Sequence, residues 1–184
     1  MSEILSPETL VKNANSAFKQ GDYLLAAQTF DAARTAYAVK GDELNAAEMA
    51  NNCSVAYLQA DRPEESLDAV VGTVEVFEQA GDIGRQGMAL GNYGAALEAL
   101  GRSDEAVDAY LESAKLLEQA GEDKLRANVM QSLSTLQFQE GRQLEALASM
   151  QSGLDGVKKP SAKQRFLKRL LNIPFDMLNK NQTT

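Results

Sequence analysis

The stretch Phe77-Glu78-Gln79-Ala80-Gly81-Asp82 returns forty residues later as Leu117-Glu118-Gln119-Ala120-Gly121-Glu122. In both copies a glycine precedes an acidic residue, which is typical of one helix that ends at a left-handed glycine and another that begins. Comparable turn signals lie twenty residues apart; they are Gly21-Asp22, Gly41-Asp42, Asp61-Arg62-Pro63, Gly81-Asp82, Gly101-Arg102, Gly121-Glu122 and Gly141-Arg142. This spacing predicts a regular series of helices.

The apolar residues between these turns recur every three or four positions, as they do on one face of a helix. Two such runs are Leu25, Ala26, Phe30, Ala33 and Tyr37, and Ala106, Tyr110, Ser113 and Leu117. No strand-like alternation competes with them, so the pattern predicts an all-α chain of antiparallel helix pairs. One pair cannot bury its apolar face alone, whereas stacked pairs can, which favours an α-solenoid with capped ends.

The segment Phe18-Lys19-Gln20-Gly21-Asp22-Tyr23, followed by Ala26, Phe30 and Ala33, resembles the tetratricopeptide repeat. Four copies are expected at about residues 8–40, 43–80, 83–120 and 123–157. They are longer than the usual repeat of about 34 residues and are similar to the long repeats of kinesin light chains and cell-polarity adaptors. The positions of the family tryptophan hold Leu10, Ala50, Leu90 and Met130. The resemblance implies a right-handed α-solenoid of about four hairpins over residues 1–157.

The composition of the 184-residue chain excludes many catalytic mechanisms and metal sites, because the chain has no His, no Trp and one Cys, at Cys53. A His general base, His-ligated or multi-Cys zinc sites and internal disulfides are thereby excluded. Cys53 is expected to be a small core residue. We therefore expect a non-enzymatic protein without a cofactor or metal.

The net charge of −8 is unevenly distributed. Residues 158–184 contain seven basic residues and one acidic residue, a net +6, which leaves −14 for residues 1–157. An acidic body argues against binding of nucleic acid over the whole surface. The N-terminus has neither a basic start nor an apolar run, so no signal peptide is expected and a cytoplasmic location is predicted.

The resemblance also implies where a partner binds. In this family the first helix of each pair lines a concave groove that holds a peptide, and Asn side chains pair with the peptide backbone. Carried over position by position, the candidate groove residues are Lys12, Asn15, Phe18, Lys19, Asn51, Asn52, Val55, Leu58, Asn92, Asn128, Gln131 and Phe138. The predicted function is a protein-interaction scaffold or adaptor that binds a peptide segment of a partner protein.

The basic C-terminal segment, residues 158–184, leaves several hypotheses open. A helix over about residues 162–172 would cap the last repeat. Alternatively, a basic amphipathic tail would dock on an anionic membrane surface or an acidic partner. The residues expected to make that contact are Lys163, Arg165, Lys168, Arg169 and Phe175. A further alternative is a self-associating module, a homo-oligomer in which the tail of one copy lies against another.

Overall fold

The computed structural model describes residues 5–155 and, beyond them, Val157, Pro160, Ala162, Arg165 and Arg169. Every regular element over residues 5–155 is an α-helix. The helices are α1 (Pro7–Gln20), α2 (Tyr23–Val39), α3 (Glu43–Gln59), α4 (Pro63–Val70), α5 (Thr73–Gln79), α6 (Ile83–Ala99), α7 (Ser103–Gln119), α8 (Asp123–Gln139) and α9 (Gln143–Asp155).

The predicted turns are confirmed by their backbone geometry. Gly21 has a φ of 85° and Gly101 a φ of 72°, in the left-handed region that glycine adopts without a steric penalty. Asp61, with a φ of 58°, takes the glycine position in the second pair. The carboxylates of Asp42 and Asp82 accept hydrogen bonds from backbone N–H groups three residues later, which caps α3 and α6.

The helices pack in sequential antiparallel pairs. The pairs are α1 with α2, α3 with α4 and α5, α6 with α7, and α8 with α9. The first helices of pairs two to four also touch one another, because α6 contacts both α3 and α8. The predicted all-α fold of helix hairpins is confirmed. The right-handed superhelical sense and the division at residue 157 stay predictions.

The second pair differs from the expected single hairpin, because its outer helix is divided. Val71 is extended, with a ψ of 133°, and Gly72 is left-handed, with a φ of 83°. The Thr73 hydroxyl donates to the Val70 carbonyl at 2.7 Å and holds the chain across this break. Two adjacent β-branched residues before a glycine weaken the helix locally, so tertiary packing decides its course.

Small residues allow the helices to approach closely. A Cβ placed on Gly94 of α6 would lie 2.9 Å from Cδ1 of the Tyr110 ring on α7. One on Gly153 of α9 would lie 2.8 Å from the Met130 Cβ on α8. Leu97, Leu117 and Leu133 are fully buried. The core therefore depends on glycine or alanine opposite a large side chain.

The last pair leaves an apolar side chain uncovered. Leu147 on α9 is 42% exposed, although the corresponding Val107 of α7 is buried in the core. The predicted capping helix, about residues 162–172, lies largely outside the described residues. Within that range the structure describes Ala162, Arg165 and Arg169, and all three are helical. No helix within the described part of the chain is long and apolar enough to cross a bilayer.

Candidate peptide-binding groove

The side chains predicted to bind a peptide lie on α1, α3, α6 and α8, and we call this surface the inner-helix face. Of the predicted residues, six are exposed: Lys12, Asn15, Lys19, Asn128, Gln131 and Phe138. Five are half-buried: Phe18, Asn52, Val55, Leu58 and Asn92. Asn51 is buried.

The buried Asn51 is held by a second predicted residue. The Asn92 Nδ2 donates a hydrogen bond to the Asn51 Oδ1 at 3.3 Å, which links α6 to α3. A peptide therefore has direct access to the partly exposed Asn92, and the buried Asn51 holds the Asn92 side chain in position. Asn92 and Asn52 lie forty residues apart and occupy equivalent positions of the repeat, but the amide partner of Asn92 is Asn51.

A cavity of about 260 Å³ opens between α6 and α8, and we call it the groove cavity. Ala95 and Asn92 line it from α6, and Asn128 and Ser132 line it from α8. The remaining lining residues are mostly apolar: Met88, Gly91, Tyr110, Leu117, Leu125 and Val129. The cavity thus combines an apolar interior with amide groups from both helices.

Tyr110 of α7 forms part of the cavity wall and has its hydroxyl satisfied by the protein. Its Oη donates to the Glu98 carboxylate at 2.6 Å. Burial raises the pKa of Tyr110, and the hydrogen bond and negative charge of Glu98 raise it further. Tyr110 therefore stays neutral at physiological pH and offers its ring to the cavity.

The acidic groups of the inner-helix face are engaged within the protein. Glu48 forms an ion pair with Arg85 at 3.3 Å, and Glu8 lies 3.9 Å from Lys40. The guanidinium of Arg85 also pairs with Asp82, at 2.7 Å. Sequence reasoning missed Arg85, although its position three residues after a capping Asp was a signal for this pair.

Unlike these acidic residues, the two lysines of the inner-helix face, Lys12 and Lys19, are not engaged in ion pairs with the described residues. Both are exposed. Both lie on α1, so the positive charge available to a partner is concentrated at the N-terminal end of the face. The inner-helix face is therefore divided into a basic end and a polar remainder.

The aromatic side chains of the face have different surroundings. The ring of Phe18 contacts that of Tyr23 edge-on, with centroids 5.2 Å apart, so part of it is used within the first pair. Phe138, at the end of α8, is 65% exposed. Phe138 is therefore the aromatic residue of the predicted set that presents most of its surface to a partner.

Cys53 has no catalytic role in this arrangement. It is 2% exposed, and its Sγ donates to the Ala27 carbonyl at 3.3 Å. Burial chiefly, together with Asp31, raises the pKa of its thiol to about 12. Its predicted role as a core residue is confirmed.

The structure describes two of the five residues predicted to make contact through the C-terminal tail. Arg165 and Arg169 are helical and exposed. Lys163, Lys168 and Phe175 lie outside the described residues.

Comparison with known proteins finds a similarity over part of the chain. Residues 85–159, which run from α6 through α9, match the tetratricopeptide repeat. This part of the chain is therefore similar to that family. Such repeats are in general protein–protein interaction modules and typically have no catalytic function, and the segment includes both helices of the groove cavity.

Two further comparisons accompany the tetratricopeptide match. No curated protein matches the chain. A solved structure described as "MamA AMB-1 P212121" is 18% identical, covers 87% of this chain and 96% of that chain, and has a TM-score of 0.44.

Proposed function

We infer that this protein is a non-enzymatic scaffold that binds an extended peptide segment of a partner protein on its inner-helix face. The observation that carries this proposal is the groove cavity, with an Asn amide on each side and an apolar interior. Its place within residues 85–159, which match the tetratricopeptide repeat, supports it. The forty-residue period favours the long-repeat type, in which Asn side chains hold the peptide backbone.

The chemistry of the cavity indicates what the peptide presents. An extended peptide has N–H and C=O groups along both edges, and an Asn amide both donates to and accepts from them. Asn128 is exposed, and its side chain has no hydrogen-bond partner in the described part of the chain. One apolar side chain of the peptide would enter between Ala95 and Val129.

The charges of the inner-helix face indicate how the bound peptide is oriented. Lys12 and Lys19 on α1 have no ion-pair partner among the described residues, whereas Glu48 and Glu98 are already engaged. An acidic residue of the partner would therefore lie over α1, and the apolar residue would lie near α8. Ions at the rim of an interface mainly affect association rate and orientation.

A random peptide library displayed on phage and selected on the full chain tests the proposal. Selected peptides should bind the wild-type protein, and Ala95→Met should abolish binding because its side chain fills the cavity. Asn128→Ala should weaken binding by about two- to tenfold, the value of one hydrogen bond. Asn13→Ala, an exposed substitution on α1, is the matched control and should change nothing.

Fluorescence anisotropy with a labelled selected peptide measures each affinity. Lys12→Glu with Lys19→Glu should weaken the binding of peptides that carry an acidic residue and leave neutral peptides unaffected. A selection that yields no peptide, or a peptide that Ala95→Met binds as tightly as the wild type, would refute the groove assignment.

A further inference from the structure

A second cavity, of about 550 Å³, lies outside the inner-helix face, between α2, α3 and the divided helix α4–α5. We call it the second-pair cavity. Ala46, Ala47, Ala50 and Cys53 of α3 form part of its wall. Its volume is in the range of about 300–1,000 Å³ typical of ligand clefts.

One residue that lines the cavity is smaller than its equivalents in the other repeats. Ala50 occupies the position held by Leu10, Leu90 and Met130 in the other three pairs. Met130 is buried and packs against Gly153, and Leu10 packs on the first core cluster. In the second pair the methyl group of Ala50 leaves more room beside α3, although the fourth pair also has a cleft, of about 470 Å³, at the equivalent place.

The divided helix adds to the opening. Val71, which is 63% exposed, and Gly72 stand beside the cavity at the break between α4 and α5. The two residues that correspond to Gly72, Glu112 and Ser152, lie within the uninterrupted helices α7 and α9. The second pair therefore departs from the repeat on both sides of the same cavity.

The rim of the second-pair cavity is acidic. It contains four carboxylates and one guanidinium: Asp31, Glu43, Glu65, Asp68 and Arg34. Asp31 pairs with Arg34, and Glu65 pairs with Arg62. Glu43 and Asp68 make no ion pair with any described residue. The site is thus suited to an apolar side chain that has basic residues near it in sequence.

The chain itself contains a segment of this chemistry. Residues 163–175 read Lys-Gln-Arg-Phe-Leu-Lys-Arg-Leu-Leu-Asn-Ile-Pro-Phe, with four basic residues, no acidic residue and a terminal Phe175. Arg165 and Arg169 are exposed and make no ion pair with the described residues of their own chain. Their charges are available to a second molecule.

We propose that the second-pair cavity of one copy binds the basic C-terminal segment of another copy, with Phe175 in the cavity and Lys168 and Arg169 at the acidic rim. The two surfaces differ, so the contact is heterologous and successive copies would join head to tail. Complementary charge makes the association sensitive to ionic strength.

Sedimentation velocity of the full chain over a series of concentrations is the first experiment. The wild-type mass should rise with concentration and fall towards the monomer at high salt. Ala50→Met should remain monomeric because its longer side chain obstructs the cavity. Phe175→Ala and the double variant Lys168→Glu/Arg169→Glu should also remain monomeric, each with an unchanged helical circular dichroism spectrum.

A mixture of two variants tests the direction of the contact. Ala50→Met has an intact tail and an obstructed cavity, whereas Phe175→Ala has an open cavity and an altered tail. Neither associates alone, but together they should form a one-to-one dimer and nothing larger, which native mass spectrometry detects. Failure of the mixture to form a dimer would overturn the proposal.

Ala95→Met separates this proposal from the proposed function. It fills the groove cavity, so it should lose the selected peptide and still self-associate as the wild type does. Ala50→Met should give the opposite result: it should bind the selected peptide normally and fail to self-associate. A wild-type chain that is monomeric at all concentrations, or an Ala50→Met variant that associates like wild type, would refute the second-pair site.

Sedimentation with anionic phosphatidylserine vesicles provides the contrasting outcome. If the wild-type chain binds vesicles through Lys168, Arg169 and Phe175 but shows no concentration-dependent mass, the tail is a membrane anchor and the proposed contact between copies is wrong.

Discussion

The Asn92 side chain of α6 donates a hydrogen bond to the buried Oδ1 of Asn51 on α3, at 3.3 Å. The bond joins two successive pairs on the inner-helix face and couples the stability of the solenoid to its proposed binding surface. Substitution of Asn92 therefore affects both properties, which makes Asn128 the better residue for testing peptide binding alone.

Asn92→Ala should lower the free energy of unfolding by about 1–3 kcal/mol, because it leaves the buried Asn51 oxygen without this partner. Urea unfolding followed by circular dichroism measures the change. In a double-mutant cycle, Asn51→Ala and Asn92→Ala should show a coupling energy of about 0.5–1.5 kcal/mol. Additive effects of the two substitutions would show that the hydrogen bond contributes nothing to stability.

Gly94→Ala should destabilise the protein by about 1–3 kcal/mol, because the new methyl group would approach the Tyr110 ring to 2.9 Å. The ring is buried and its hydroxyl is tied to Glu98, so it has little room to move. Gly84→Ala is the matched control on the same helix, since its Cβ would meet only ordinary contacts at 3.8 Å. The control should be neutral or stabilising by up to about 1 kcal/mol, and thermal melts of both variants distinguish the two outcomes.

Asp61→Gly should raise the free energy of unfolding by about 0.5–1 kcal/mol, because Asp61 has a positive φ of 58° where the other interhelical turns over residues 20–142 have glycine. The reciprocal variant Gly101→Asp should lower it by about 1 kcal/mol through backbone strain alone, since a Cβ at this position would meet no other atom within 4 Å. Urea midpoints of the two variants should move in opposite directions.

Cys53 should react with iodoacetamide about a thousandfold more slowly in the folded protein than in urea at pH 8. Its pKa is raised from 9.0 to about 12, so far less thiolate is present, and access is restricted as well. A folded chain that reacts as quickly as the unfolded one would show that α3 opens readily at this position.

The same pKa shift predicts a loss of stability at alkaline pH. The folded state binds the thiol proton more tightly than the unfolded state, so the stabilisation is complete below about pH 9 and is lost as pH rises towards about 12. The raised pKa of Tyr110 acts in the same direction from its ordinary value of 10.0 upwards. Cys53→Ala should reduce the pH dependence of the urea midpoint in this range.

Much of the fold was predictable because the information is local. A glycine that ends one helix and an Asp that caps the next act within a few residues, so the turns at Gly41-Asp42 and Gly81-Asp82 could be located directly. The helical spacing of apolar residues then identified the buried faces, including Phe30 and Tyr110. The division of the second outer helix at Gly72 was not predicted, since a glycine within a helical pattern is often tolerated.

The candidate site was predictable only in outline. Helical periodicity placed Asn92 and Asn128 on the first helices of their pairs, but it did not indicate that Asn92 pairs with Asn51 or that Arg85 engages Glu48. Those partners lie 41 and 37 residues apart in sequence. Their contact depends on how successive pairs are rotated against each other.

The sequence by itself determined an all-α chain of repeated hairpins without His chemistry, with an acidic body and a basic tail. These properties follow from composition, turn residues and periodicity, which act over short distances along the chain. Tertiary structure alone decided where volume is left unfilled, beside Ala50 in the second pair and beside Ala95 between α6 and α8. A cavity depends on the side chains of several helices at once, so no single segment of the sequence encodes it.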